Sequence, residues 1–245
     1  MPAGSESKKK HLAWALPLAF LILLILVFLV YAENYSHADE TAVSALQADD
    51  TVQVAPTDFG WFFDGPSETQ ALIFYPGAKV EETAYAPLLH RLAQEGMDVF
   101  LVKMPFRFAF FGIGKAAAVQ KQYAYETWYV GGHSLGGAMA ESWASKHVGA
   151  VDGVILLGAH SSFRLDKGTA EIVIYGTEDG LCTPEKVEKG RANAPERYYE
   201  YVIDGGNHAQ FGSYGRQSGD GEAGIPPEKQ WDETVRLILK SVSVS

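Results

Sequence analysis

A single cysteine, Cys182, is all the chain contains. That excludes an internal disulfide and any metal site built on clustered thiolates, and a buried small apolar role is the simplest account of it. Cations are also scarce: 20 Lys and Arg against 30 Asp and Glu leave a net charge of −10, the wrong sign for a nucleic-acid partner. There is no Gly-rich phosphate loop, no dinucleotide fingerprint, no paired set of metal ligands and no internal repeat. Gly219-Asp-Gly-Glu222 is too short and too poor in oxygen ligands for a calcium loop. The chain is therefore expected to work without a cofactor or metal.

The amino-terminal part is apolar in one block. Lys8-Lys-Lys10 precedes Leu12 to Tyr31, 20 residues with no charge and one proline, which as a helix would extend roughly 30 Å and cross a bilayer. Lysines before it and Glu33, Asp39, Glu40, Asp49 and Asp50 after it predict residues 1–11 as a cytoplasmic amino terminus and 12–31 as a transmembrane signal anchor, with the rest outside the cell membrane. A secretory signal cut near Val30-Tyr31-Ala32 is the competing reading, but its apolar stretch exceeds the usual 7–15 or so residues. Residues 32–50, rich in Ala, Ser, Asp and Glu without a core pattern, suit a stalk linker. Residues 51–245 then form one folded domain, large enough for a core of its own.

Within that domain short apolar runs alternate with helical patterns. Strand signals fall at Thr51–Val54, Gly60–Phe63, Ala71–Tyr75, Asp98–Lys103, Glu126–Gly131, Val151–Leu157, Glu171–Tyr175 and Tyr198–Ile203. Helical patterns begin near Glu82, Gly114, Leu135 and Glu228. This predicts an α/β fold, a mostly parallel twisted sheet with helices on both faces. Its site belongs beyond the carboxyl ends of the strands.

The loops at those ends carry the candidates. Gly132-His-Ser134-Leu-Gly136 is a G-x-S-x-G elbow between strand and helix, where small residues flank a serine on a strained turn. Gly176-Thr-Glu-Asp179 and Asp204-Gly-Gly-Asn-His208 follow later strands. A serine hydroxyl needs an imidazole to take its proton, and the imidazole a carboxylate to hold its tautomer; Ser134, His208 and Asp179 fill those roles in the order Ser, Asp, His. Glu178 and Asp204 are the rival acids.

With these residues the chain resembles the alpha/beta-hydrolase superfamily over roughly Asp58 to Lys240. More narrowly, Tyr75–Val80, Gly131–Gly137 and Gly205–Gly212 resemble small bacterial, often membrane-anchored hydrolases related to dienelactone hydrolases. The nucleophile here is serine where dienelactone hydrolase uses cysteine, and Pro76-Gly77-Ala78 stands where many lipases carry His-Gly-Gly-Gly. The resemblance implies an oxyanion hole from the backbone N–H groups of Leu135 and Ala78, with Gly77 or Lys79 as other sources of the second donor. It places His133 facing away from the pocket. The 13 residues between Leu157 and Glu171 leave no room for the cap domain found there in many relatives.

The activity expected is that of a serine hydrolase acting on a small-molecule acyl substrate, a carboxylic ester or related compound, through an acyl-enzyme. An acyltransferase with the same triad, or a membrane-tethered binding module that has lost turnover, are the alternatives. Phe106, Phe108, Phe110 and Phe111 crowd one loop, as an apolar wall or as core, with Lys103 and Arg107 beside them. His11 precedes the apolar segment, His37, His90 and His147 read as solvated tail or helix positions, and His160 falls on the active-site edge. The stretch Gly205 to Pro227, with seven glycines, either folds over the site or is a mobile flap.

Overall fold

The computed structural model describes residues 4–67 and 69–243, with side chains from Leu16 onward. The first residues of the expected cytoplasmic stretch and the side chains of Lys8, Lys9 and Lys10 lie outside that description. The chain divides into two units, one ending at Tyr35 and one beginning at Ser36. The first is a single helix, α1 (Gly4–Glu33). Its segment Leu16–Glu33 is long and apolar enough to cross a membrane, because Leu, Ile, Val and Phe surround it on every side and leave no polar face.

In the second unit the strands are β1 (Gln53–Thr57), β2 (Gly60–Asp64), β3 (Gln70–Tyr75), β4 (Asp98–Val102), β5 (Thr127–His133), β6 (Gly153–Leu157), β7 (Ala170–Gly176) and β8 (Tyr198–Ile203). They form one sheet in the order β1-β2-β4-β3-β5-β6-β7-β8. Pairing is parallel from β4 through β8, with β1 and β2 added antiparallel at one edge. The helices are α2 (Glu40–Ser44), α3 (Ala86–Gln94), α4 (Lys115–Gln120), α5 (Leu135–Ala144), α6 (Pro184–Gly190) and α7 (Pro227–Val242).

Strand alternation sorts the core into two layers. Leu72, Phe74, Leu101, Ile155 and Ile174 point to one face and pack with Leu88 and Leu92 of α3 and Trp231 and Ile238 of α7. Ala71, Ile73, Val130, Leu156 and Val173 point to the other and meet Ala116 and Val119 of α4, Trp143 of α5 and Val187 of α6. Strands buried on both faces read as continuous apolar runs, which is why β3, β5, β6 and β7 stood out. The connection from β6 to β7 holds no helix or strand.

The stalk expected over 32–50 is corrected from Ser36 on, where the chain is packed onto the second unit. Ser36 forms a parallel bridge with Val80. The Asp39 carboxylate caps α2 by accepting the Ala42 N–H and also accepts the Ser213 hydroxyl. The Asp49 carboxylate accepts the N–H groups of Thr51 and Val52 and the Gln94 side-chain amide. It also bonds His90 Nε2, while His90 Nδ1 bonds the Ala45 carbonyl. His90, expected on a solvated face, is accordingly buried.

Candidate active site

At the end of β5 the chain turns directly into α5, and Ser134 takes up the whole reversal with φ +53° and ψ −124°. A side chain rarely tolerates such a backbone, and residues held there cluster at functional sites. The turn is pinned by the Ser134 N–H donating to the Leu157 carbonyl at 2.9 Å. A Cβ on Gly132 or Gly136 would collide with the Tyr75 carbonyl, so the elbow glycines are set by close approach of β3.

The loops after β7 and β8 bring Asp179 and His208 together. His208 Nδ1 lies 2.9 and 3.1 Å from the two Asp179 carboxylate oxygens, and both side chains are buried. Asp179 Oδ1 also accepts the backbone N–H groups of Leu181 at 2.9 Å and Cys182 at 2.6 Å. With Nδ1 donating to the carboxylate, Nε2 carries the lone pair, and it is buried without a hydrogen-bond partner. Gly158, next to the residue that pins Ser134, has φ +52°, and a Cβ there would lie 2.9 Å from His208 Nδ1. Elbow and Asp–His pair are thus packed against one another through Leu157 and Gly158.

The rival acids lie elsewhere. Glu178 is exposed and accepts the Thr177 hydroxyl, and Asp204 is exposed. Burial and the charge of Asp179 push the Cys182 thiol up to about 12, so it stays protonated and inert. His160 is half-buried on the same edge, its pKa lowered by burial and by Lys186.

Two of the three possible second oxyanion donors are already engaged. The Gly77 N–H donates to the Tyr85 hydroxyl at 3.0 Å, and the Lys79 N–H to the Arg107 carbonyl at 2.9 Å. Ala78 lies between them, and Leu135 opens α5, where first-turn N–H groups have no partner within the helix.

His133 does not face away from the site. It is buried with its ring centroid 4.4 Å from that of His208, and Nδ1 lies 2.8 Å from the Tyr85 hydroxyl. Burial, then the neighbouring His208, hold its pKa well below the ordinary value; a neutral Nδ1 accepts the Tyr85 proton. Nε2 faces the backbone of His208 without forming a good hydrogen bond.

Sequence reasoning missed Tyr85 and Asp220. The Asp220 carboxylate accepts N–H groups from His208 at 3.1 Å, Ala209 at 2.8 Å and Gly180 at 3.2 Å, so it joins the loop of the acid to the loop of the histidine. The Gly-rich stretch is therefore bonded to the site, with the Asn207 amide also donating to the Gly221 carbonyl. A cavity of about 390 Å³ lies under this stretch, between Asp39 and Asp220; neither Ser134 nor His208 lines it.

Also unforeseen is a carboxyl pair beneath the loop after β6. Glu141 accepts the N–H groups of Ser162 and Phe163, and Glu171 accepts the Ser161 hydroxyl. Both are fully buried, and burial raises both pKa values.

A doubly covered parallel sheet, a serine on a strained strand-to-helix turn and a buried Asp–His pair at the carboxyl edge together define a hydrolase of the α/β type. A family model described as alpha/beta hydrolase family matches residues 71–232, and the chain belongs to that family. Among solved structures it is similar to Est1E from Butyrivibrio proteoclasticus, at 12% identity and TM-score 0.56 over 79% of this chain and 100% of that one. Carboxylesterase CesB from Bacillus subtilis aligns at 9% identity and TM-score 0.55, over 82% of this chain and 95% of its own. Dienelactone hydrolase from Anabaena variabilis does so at 12% and 0.57, over 78% and 98%. No curated protein sequence matches.

Proposed function

We propose that the protein is a serine hydrolase of carboxylic esters or related acyl compounds. The observation that carries this reading is the buried His208 Nε2, left without a partner while Nδ1 is held by Asp179, beside a serine on a strained elbow. Ser134 Oγ attacks the acyl carbon as its proton passes to His208 Nε2, and Asp179 stabilises the imidazolium. The N–H groups of Leu135 and Ala78 receive the developing oxyanion. The alcohol leaves with the proton from His208, and water, deprotonated by the same nitrogen, then releases the acid. α1 would hold the domain on the outer face of the membrane, which protease added to cells with a permeable outer layer tests: release of the domain is expected, full protection refutes it.

Fluorophosphonate labelling and turnover of a panel of short and medium acyl esters test the chemistry. Ser134→Ala should abolish both while the fold persists. Labelling that moves to Ser161 or Ser162, or an unlabelled protein with no ester turnover, would overturn it.

A further inference from the structure

His208 is held at two places. Its Nδ1 is bonded to the Asp179 carboxylate, and its backbone N–H donates to Asp220 Oδ1 at 3.1 Å. The same oxygen accepts the N–H of Gly180, the residue after Asp179, at 3.2 Å. Asp220 Oδ2 accepts the N–H of Ala209, the residue after His208, at 2.8 Å. Hydrogen bonds to an ionised acceptor are roughly twice as strong as neutral ones. A single carboxylate thereby fixes the distance between the two loops that supply the Asp–His pair.

The chain around Asp220 is shaped for this approach. A Cβ on Gly180 would lie 2.3 Å from the Gly219 carbonyl oxygen, and one on Gly221 would lie 2.2 Å from the Glu178 carbonyl oxygen. Only glycine lets two backbones come so close, and the Gly221 N–H closes the contact by donating to that Glu178 carbonyl at 3.1 Å. Gly219, immediately before Asp220, has φ +86°, a left-handed backbone that a side chain would strain. The glycines at 180, 219 and 221 are explained together by the placing of one carboxylate against the loop of Asp179.

Packing offers no substitute on this side. The cavity of about 390 Å³ under the Gly-rich stretch is lined by Asn207 and Ala209, the two neighbours of His208, and by Asp220 itself, so the histidine loop faces a void there instead of a filled core. Gln230 of α7 clamps the Asn207 peptide, accepting its N–H at 3.1 Å and donating to its carbonyl at 2.8 Å. Among the described residues Gln230 bonds neither His208 nor the loop of Asp179. An imidazole anchored only at Nδ1 pivots about that bond and carries Nε2 off the serine, and a displacement of about 1 Å costs on the order of 10²-fold in rate.

We infer that Asp220 is a positioning residue: through the main chain of Gly180, His208 and Ala209 it sets where His208 Nε2 meets Ser134. The hold on the two loops stands on the hydrogen bonds; its consequence for turnover rests on the hydrolase reading above.

The test compares the unsubstituted full chain in detergent with Asp220→Asn, which keeps one acceptor oxygen, and with Asp220→Ala, which keeps none. Arg216→Ala is the control, since it removes only an exposed ion pair with Glu222 in the same stretch. On a water-soluble short ester kcat should fall roughly 10-fold in Asp220→Asn and roughly 100-fold in Asp220→Ala, with KM little changed, while Arg216→Ala matches the unsubstituted chain.

A general weakening of the fold also lowers kcat, so two further readouts separate the cases. In an Asp179→Asn background, Asp220→Ala should lower kcat by less than about threefold, because residues that act as one unit are not additive. The same roughly 100-fold loss in that background would give Asp220 a separate, merely structural role and overturn the proposal. The buried Nδ1–H of His208, bonded to Asp179, should give a downfield proton resonance that His208→Gln removes. In Asp220→Ala that resonance should be lost to exchange with solvent as the two loops part; an unchanged resonance would overturn the proposal whatever the kinetics. Its loss in Asp220→Ala, from a chain that turns over no ester, would refute the hydrolase reading and leave the hold on the two loops in place.

Discussion

The Tyr85 hydroxyl bonds His133 Nδ1 at 2.8 Å and accepts the Gly77 N–H at 3.0 Å. One buried hydroxyl therefore fixes both the residue before the candidate nucleophile and the loop proposed to supply the second oxyanion donor. With the Gly77 and Lys79 amides engaged, Ala78 is the proposed donor of that loop.

Tyr85→Phe removes the hydroxyl and keeps the ring. The Gly77 N–H and His133 then lose a buried partner, at about 1–3 kcal/mol for an unsatisfied group, and the loop is no longer held to one register. A whole oxyanion donor is worth about 10²–10³ in kcat; a displaced one should cost roughly 10- to 100-fold, with KM little changed. Steady-state kinetics on a short ester separates the cases, since a raised KM at constant kcat would make Tyr85 a substrate contact instead.

Asp179 holds His208 through both carboxylate oxygens, so Asp179→Asn should lower kcat by about 10⁴, as loss of the tautomer-fixing carboxylate does in other triads. Glu178→Gln should be near normal, because that side chain is exposed. The reverse pattern in kcat would exchange the two roles.

How much of this was readable beforehand follows from the range of each signal. The sheet and elbow were legible because buried strands are continuous apolar runs and the turns after them carry Gly or Pro. Asp179 and His208 were legible because each lies a few residues past a strand end. Tyr85 bonds His133 across 48 residues and Asp220 bonds His208 across 12, and no periodicity links such pairs. Segment 36–50 was misread because its order comes from Asp39 and Asp49 bonding side chains and backbone N–H groups, which leaves no hydrophobic period to detect. The inward turn of His133 depended on its partner Tyr85, which was invisible.

Glu141 and Glu171 set a pH dependence. Glu141 accepts two backbone N–H groups, whereas Glu171 accepts one hydroxyl and has a buried oxygen without a partner, and burial of the two carboxyls together favours keeping a proton on the pair. Tyr198 is the other titratable group beside Glu171, and burial keeps it protonated by raising its pKa. The folded pair retains a proton that the unfolded chain releases, since both values lie above the ordinary 4.5. Its stabilising contribution is full below that value and declines as pH rises through the raised range. Glu171→Gln supplies a permanent N–H donor and should flatten that decline, with a gain of about 1–3 kcal/mol at alkaline pH. Denaturant melts across pH would show it; parallel curves for the two proteins would mean that the pair holds no proton.

Truncation tests where the folded domain begins. A chain starting at Ser36 retains the bridge to Val80, the Asp39 cap and both partners of His90, and should be soluble, with turnover of a short ester like that of the full chain in detergent. One starting at Thr51 removes the Ala45 carbonyl and the Asp49 carboxylate, leaving both nitrogens of a buried imidazole without partners. At about 1–3 kcal/mol for each, and about 2–4 °C per kcal/mol in a domain of this size, Tm should fall by roughly 10 °C. Loss of the Ser36 strand also frees the Lys79 carbonyl and the Glu81 N–H next to Ala78, so turnover should fall together with Tm. Equal melting temperatures for the two chains would return residues 36–50 to the status of a linker.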